Sequence, residues 1–127
     1  MVLQAALPTL RSTAQQVGTA KVIGVASITG EYAEAGLSAY AATKAALISL
    51  CDSLNVEESV HGISAAALSP GFVDTDMSDW VKGSIRSDEM IAPADIATLV
   101  LAITELSRYA VVPGLVVTRL GPSLRRA

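Results

Sequence analysis

Tyr40 and Lys44 lie four residues apart in the stretch SAYAATKAAL, so on a helix their side chains would share one face. A phenol is a poor acid at neutral pH, and a nearby ammonium favours its deprotonated form. Tyr40 could then give a proton to a carbonyl oxygen that becomes an alcohol, or take one in the reverse direction. Taken alone, the spacing could equally be a surface coincidence.

Two further segments fall where they could assist such a pair. Ser27 ends KVIGVAS (Lys21–Ser27), an apolar run that is typical of a strand buried on both faces. SPGFVDTDM begins where ISAAALS (Ile63–Ser69), a second predicted buried strand, ends. Parallel strands end at one sheet edge, so we expect these groups near Tyr40. The Ser27 hydroxyl could hold the reacting oxygen by a hydrogen bond. No side chain carries hydride, so a cofactor would have to supply it.

The remaining segments alternate between helical and strand patterns. We predict a first helix over Val2–Val17, which Pro8 interrupts and Gly18 ends, and then, after the first strand, a loop over 28–37. A second long helix is predicted over Ser38–Val60, with Ser38 as its N-cap. After the second strand we predict a short helix near 77–82, a helix over Ala92–Leu106, a strand over Gly114–Leu120 and a loop from Gly121 to the end. We expect Leu47, Leu50, Cys51 and Leu54 to form the buried stripe of the second long helix. Such alternation predicts an α/β fold with a three-stranded parallel sheet and flanking helices.

Composition excludes several classes of function. The 127 residues carry a net charge of −3 without a dense basic block, so we expect no nucleic-acid partner. One cysteine and one histidine rule out a disulfide within the chain and a Cys/His metal cluster. The start lacks the features of a signal peptide, and ATLVLAIT is far shorter than the roughly 18 apolar residues of a membrane span. We therefore expect a soluble, cytoplasmic protein with no metal.

The combined motifs resemble the short-chain dehydrogenase/reductase family. That family has a strand ending in Ser-x-x-Gly, a Tyr-x-x-x-Lys helix and a Pro-Gly-x-Val-x-Thr loop. Here VASITG contains Ser27, thirteen residues before Tyr40, and SPGFVDT follows the next strand. APADIATLVLAITELS and GLVV are similar to the family's last helix and strand. The resemblance implies a Rossmann-like fold and NAD(P)-dependent carbonyl reduction or alcohol oxidation of a small-molecule substrate.

The resemblance also implies a role for each matched residue. Ser27 would orient and polarise the substrate, Tyr40 would be the general acid/base, and Lys44 would assist Tyr40 and hydrogen-bond the nicotinamide ribose. The cofactor, NAD or NADP, would further contact the loop at Pro70, Gly71, Val73 and Thr75.

The chain also departs from the family pattern. It has no Thr-Gly-x-x-x-Gly-x-Gly motif, since no two of its glycines are two residues apart, and its only asparagine is Asn55. We therefore interpret residues 1–127 as one partial domain that corresponds to the C-terminal half of the family fold. We expect weak dinucleotide binding, and the sequence does not distinguish NAD from NADP. The strand KVIGVAS would have an unpaired edge, which favours aggregation or oligomerisation.

Several residues keep two interpretations. Thr75 could instead cap the following turn, and Phe72, Met77 and Trp80 could line a substrate pocket or pack elsewhere. His61 and Cys51 are better explained as a helix-end residue and a buried apolar residue. The small side chains of Ala42, Ala45, Ala46 and Ser49 could form the dimer interface that the family places on this helix, or pack within the monomer. A rival hypothesis is a non-catalytic fragment that acts only through such helix-mediated association.

Overall fold

A computed structural model describes residues 2–121, and the part of the predicted C-terminal loop beyond Gly121 lies outside them. Within that range the helices are α1 (Val2–Val17), α2 (Ile28–Glu31), α3 (Ser38–Glu58) and α4 (Pro93–Glu105), and the strands are β1 (Ala20–Val25), β2 (Ile63–Pro70) and β3 (Gly114–Val117). Short 3₁₀ turns cover Ser59–His61, Asp76–Val81 and Ser87–Glu89. The predicted α/β fold with a three-stranded parallel sheet is confirmed.

The sheet has the order β1-β2-β3, with both pairs parallel. β2 lies in the centre and is buried along its whole length, as its apolar sequence predicts. The prediction that β1 is buried on both faces was wrong, because only Ala20 and Gly24 of this strand are fully buried. The physical reason is its position: among residues 2–121, β1 pairs only with β2, so its other side is open.

Helices α1 and α3 cover one face of the sheet. Cys51 and Leu54 of α3 form a buried cluster with Ala65 and Ala67 of β2, and Leu3, Leu7, Val22 and Ile48 pack around it. The contact is close at β1, where a β-carbon on Gly24 would lie 2.7 Å from the Cys51 sulfur. Burial raises the pKa of the Cys51 thiol, so this cysteine acts as a small apolar core residue. Leu47 and Leu50, also predicted to be buried, are only half-buried.

The helix ends differ in detail from the predictions. Pro8 does not interrupt α1; it is exposed, so the carbonyl that lacks its partner can bond water instead. Gly18 ends α1 as predicted, with a φ of 91°. Ser38 is not an N-cap: it is the first residue of α3, and Leu37 before it makes no side-chain cap.

The other boundaries are close to those predicted. α3 continues into the turn that ends at His61, where Gly62 has a φ of 80°, so His61 is a helix-end residue. β3 stops at Val117 rather than Leu120, where its pairing with β2 ends. No helix within residues 2–121 combines the length and the apolar character needed to cross a membrane.

Candidate active site

Ser27 follows β1 and caps the short helix α2, which lies in the segment predicted as a loop. Its backbone is extended, and its hydroxyl oxygen accepts a hydrogen bond from the Thr29 N–H at 3.3 Å. The Thr29 hydroxyl donates a second bond to the same oxygen, at 3.0 Å. A serine oxygen has two acceptor positions and one hydrogen. Because both acceptor positions are occupied, the Ser27 hydroxyl can still donate its own hydrogen to a bound ligand.

Tyr40 and Lys44 lie one turn apart at the start of α3, as their spacing predicts. The Lys44 ammonium is 5.5 Å from the centre of the Tyr40 ring, and it donates a hydrogen bond to the Val25 carbonyl at 3.0 Å. The lysine thereby joins α3 to the last residue of β1. The positive charge of Lys44 therefore lies over the face of the Tyr40 ring. Tyr40 is 38% exposed, so its hydroxyl can be reached from outside.

The loop after β2 is held in place by backbone hydrogen bonds. The Gly71 N–H donates to Val117 of β3 at 2.8 Å. Phe72 and Asp74 both bond to Ile91, each at 2.9 Å, so Val73 and Ile91 form a parallel bridge. Neighbouring residues alternate sides in such a bridge, so the N–H of Val73 points away from Ile91. These hydrogen bonds anchor the start of the loop to β3 and to Ile91.

One cleft brings together all of the residues predicted to form the site. Its volume is about 420 Å³. Its walls include Ser27, Tyr40, Lys44, Pro70, Gly71, Val73 and Thr75. Phe72, Met77 and Trp80 line it as well, which agrees with the pocket interpretation of these residues. Thr75 precedes the turn Asp76–Val81 but makes no side-chain cap there. The alternative interpretation, that the Thr75 hydroxyl caps this turn, is therefore wrong.

Thr29 is a site residue that the motifs did not identify. Its side chain is 3% exposed and lies in the cleft wall, where it donates to Ser27. A threonine two residues after an N-cap carries no signal by itself. The fold of α2 turns its hydroxyl back onto the capping serine.

The cleft could hold one end of a nicotinamide cofactor. Val73, Thr75 and Lys44 line it. They carry a backbone N–H, a hydroxyl and an ammonium as donors, and the carboxamide and ribose of that cofactor offer acceptors. The pyrophosphate of the cofactor requires a different binding segment. A tight glycine-rich turn before a helix is the usual solution, and the 127 residues contain no Gly-x-Gly. The residues present therefore fit the nicotinamide end alone.

The family model for short chain dehydrogenase matches residues 1–84. A 3-oxoacyl-(acyl-carrier-protein) reductase FabG of Chlamydia pneumoniae is 36% identical over 106 residues, which cover 76% of this chain and 42% of the reductase. Among solved structures, a betaketoacyl-(ACP) reductase, FabG, of Bacteroides thetaiotaomicron superposes with a TM-score of 0.68 at 28% identity, over 89% of this chain and 46% of that one. A 4-hydroxyisoleucine dehydrogenase complexed with NADH gives a TM-score of 0.64 at 26% identity, over 80% and 45%.

The chain thus spans less than half the length of these relatives. The matched region nevertheless includes Ser27, Tyr40, Lys44 and the loop after β2, which the structure brings to one cleft. The chain belongs to the short-chain dehydrogenase family.

Proposed function

We propose that this chain carries the acid/base half of an NAD(P)-dependent oxidoreductase, which reduces the carbonyl of a small molecule or oxidises the corresponding alcohol. One observation carries the proposal. Ser27, Tyr40 and Lys44 come from two different elements and line one cleft with the loop Pro70–Thr75. A hydroxyl donor, a phenol and an ammonium around a single space are what a proton transfer at a carbonyl oxygen requires.

In alcohol oxidation, the substrate O–H bond breaks and its proton goes to the Tyr40 phenolate, while the C–H electron pair leaves as hydride. A nicotinamide cofactor, held by Lys44 and the loop Pro70–Thr75, would supply the hydride chemistry. Ser27 donates its hydrogen bond to the substrate oxygen and keeps it within reach of Tyr40. The charge of Lys44 lies over the Tyr40 ring, where it would offset the charge that develops during the proton transfer. In carbonyl reduction Tyr40 returns the proton to the oxygen.

The test is the dependence of activity on Tyr40. We expect the purified chain, with saturating NAD or NADP in separate assays, to oxidise secondary alcohols, and Tyr40→Phe to lose at least about 100-fold in rate. Tyr109→Phe is the control, because Tyr109 is 91% exposed and does not line the cleft. Equal rates for Tyr40→Phe and the unaltered chain would contradict the proposed role.

We also propose that dinucleotides bind weakly, since no glycine-rich turn is available for the phosphates. Calorimetric titration with NADH and with NADPH measures the dissociation constants. The proposal requires values weaker than micromolar for both cofactors. The same titration ranks NAD against NADP, which the sequence leaves open.

Self-association is part of the proposal and is also the basis of the rival function, a non-catalytic protein that acts through its helices. Ala42, Ala45, Ala46 and Ser49 of α3 are all exposed, so this face does not pack within the described part of the chain. We expect a homodimer in light scattering after gel filtration, and a monomer for Ala46→Glu. Leu101→Glu on α4, at a site 62% exposed, is the control and should remain dimeric. A dimer without alcohol oxidation would favour the rival.

The proposed location is the cytoplasm. Its support is the cysteine usage: Cys51 is free and buried, and the chain has no second cysteine with which to form a disulfide.

A further inference from the structure

Much of the lining of the cleft is apolar. The apolar residues include Leu37, Phe72, Val73, Met77 and Trp80. The Phe72 and Trp80 rings pack edge to face, with centroids 5.7 Å apart and planes at 75°. This pairing fixes the indole ring beside the cleft.

Two of these side chains are large, apolar and uncovered. Met77 is 75% exposed and Trp80 is 67% exposed, and both lie on the short turn Asp76–Val81 at the mouth of the cleft. Neighbouring exposed apolar side chains that line a concave surface indicate a surface that a ligand covers. An apolar group of the substrate would remove this area from water.

The charges around the cleft do not favour an anion. Among the described residues that line it, Lys44 is the only charged one, and one of its three N–H groups already donates to the Val25 carbonyl. In the segment that carries Met77 and Trp80, Lys82 forms ion pairs with Asp74 and Asp79, at 3.2 and 2.7 Å. Asp76 in the same segment adds a further negative charge.

Two hydroxyls of the cleft donate to other protein groups. Ser78 donates to the Val73 carbonyl at 2.7 Å, and Thr29 donates to Ser27. A carboxylate or phosphate packed against the side chains of Leu37, Phe72 and Met77 would lose its hydration without gaining a hydrogen-bond donor from them, which is costly.

We propose that the substrate of this site is a neutral secondary alcohol or ketone with an apolar substituent next to the reacting carbon, and that the site discriminates against substrates with an anionic group at that position. This inference rests on the proposed function. Phe72, Met77 and Trp80 are the specificity-determining residues: the apolar substituent packs on them while its oxygen faces Ser27 and Tyr40.

The experiment compares 1-phenylethanol with mandelate, in which a carboxylate replaces the methyl group. Trp80 is the only tryptophan of the chain, so its fluorescence reports on the cleft directly. We expect 1-phenylethanol to change the emission saturably, and mandelate to bind at least about tenfold more weakly. The Met77 methyl signal in an NMR titration gives an independent readout. Equal or tighter binding of mandelate overturns the proposal. The proposal is also overturned if neither the Trp80 emission nor the Met77 methyl signal changes up to the solubility limit of 1-phenylethanol.

A charge substitution tests the reason for the preference. Met77→Lys places a cation at the exposed mouth and should improve mandelate binding relative to 1-phenylethanol by about two- to fivefold. Val17→Lys is the matched control: Val17 is 71% exposed and precedes β1, so it lies at the opposite edge of the sheet. It should leave the ratio unchanged. An unchanged ratio in Met77→Lys would contradict an electrostatic origin of the selectivity.

The binding readout needs neither cofactor nor turnover, so the two proposals can fail separately. If the protein binds 1-phenylethanol more tightly than mandelate but does not oxidise it, the proposed function is contradicted and the preference for a neutral, apolar ligand is supported. An active protein that prefers mandelate contradicts this inference and leaves the oxidoreductase function standing.

Discussion

Gly30 of α2 lies directly against the backbone of Lys44 in α3. A β-carbon at position 30 would be 2.9 Å from the carbonyl carbon of Lys44 and 2.9 Å from the amide nitrogen of Ala45. Both are backbone atoms of a helix, which cannot move aside as the end of a flexible side chain can. The missing side chain therefore allows the helix that Ser27 caps to rest on the helix that carries Tyr40 and Lys44.

The first prediction concerns this contact. Gly30→Ala should lower the free energy of unfolding by about 1–3 kcal/mol, because the added methyl group forces α2 and α3 apart. Urea denaturation followed by circular dichroism measures the change. Gly83→Ala is the control, since nothing lies within 4 Å of a β-carbon there and its φ is not positive. Equal stability of the two variants would show that the helices adjust at no cost.

The second prediction concerns the Thr29 hydroxyl, which donates to Ser27. Thr29→Val keeps the shape but removes the bond, so Ser27 is no longer held with its hydrogen towards the cleft. We expect kcat for alcohol oxidation to fall by about tenfold, the effect of roughly 1.4 kcal/mol, with KM nearly unchanged. Thr29→Ser should restore the rate, because it restores the donor. If Thr29→Val instead kept the rate and the smaller Thr29→Ser lost it, Thr29 would contribute by packing and not by its hydrogen bond.

The third prediction concerns Asn55, which joins α3 to β2. Its side-chain amide donates to the Ala65 carbonyl at 2.9 Å and accepts from the Ala65 N–H at 2.7 Å. β3 pairs with β2 only from Ala67 onwards, so Asn55 takes the place of a strand partner. Asn55→Leu should cost about 1–3 kcal/mol for each unpaired backbone group. Ser53→Leu on the same helix is exposed and should change stability by about 0.5 kcal/mol or less.

The fourth prediction is a pH dependence of stability. The buried Glu58 carboxylate accepts two hydrogen bonds from Arg11, at 2.8 and 2.6 Å. These bonds hold the pKa of Glu58 below its usual range. A lowered folded-state pKa stabilises the fold above the unfolded value of about 4.3, and this stabilisation is lost as the pH falls through the folded-state value.

Arg11→Leu should therefore lower the melting temperature at neutral pH, and its deficit against the unaltered chain should shrink on acidification. Thermal melts from neutral pH into the acid range measure this trend. Arg86→Leu removes an ion pair with Asp88 whose side chains are 72% and 68% exposed, and should have almost no effect. A deficit for Arg11→Leu that stays constant with pH would argue against the pairing.

Much of the architecture follows from local sequence patterns. The apolar runs ending before Ser27 and Pro70, and the helical spacing between them, predict parallel strands. Parallel strands end at one edge, which is why Ser27, Tyr40, Lys44 and the loop Pro70–Thr75 line one cleft. Their catalytic and cofactor-binding roles remain predictions that the Tyr40 experiment tests.

The errors arose where residue type or composition alone does not decide the local structure. Ser38 has the residue type of an N-cap, yet Ser27 is the serine that caps a helix here. β1 has the composition of a strand buried on both faces, yet its burial depends on whether a neighbour covers its second edge. Local composition does not contain either piece of information.

The sequence by itself determined the fold class, the family motifs and the edge of the sheet where they meet, because hydrophobic periodicity and strand direction are properties of the chain. Only the tertiary structure decided that Gly30 supports Lys44, that Asn55 completes β2 and that Arg11 neutralises Glu58, 47 positions away. It also decided that Phe72 and Trp80 form an apolar wall beside the proton-handling groups. These contacts join residues that become neighbours only when helices and strands pack, so their chemistry follows from distances that no local pattern encodes.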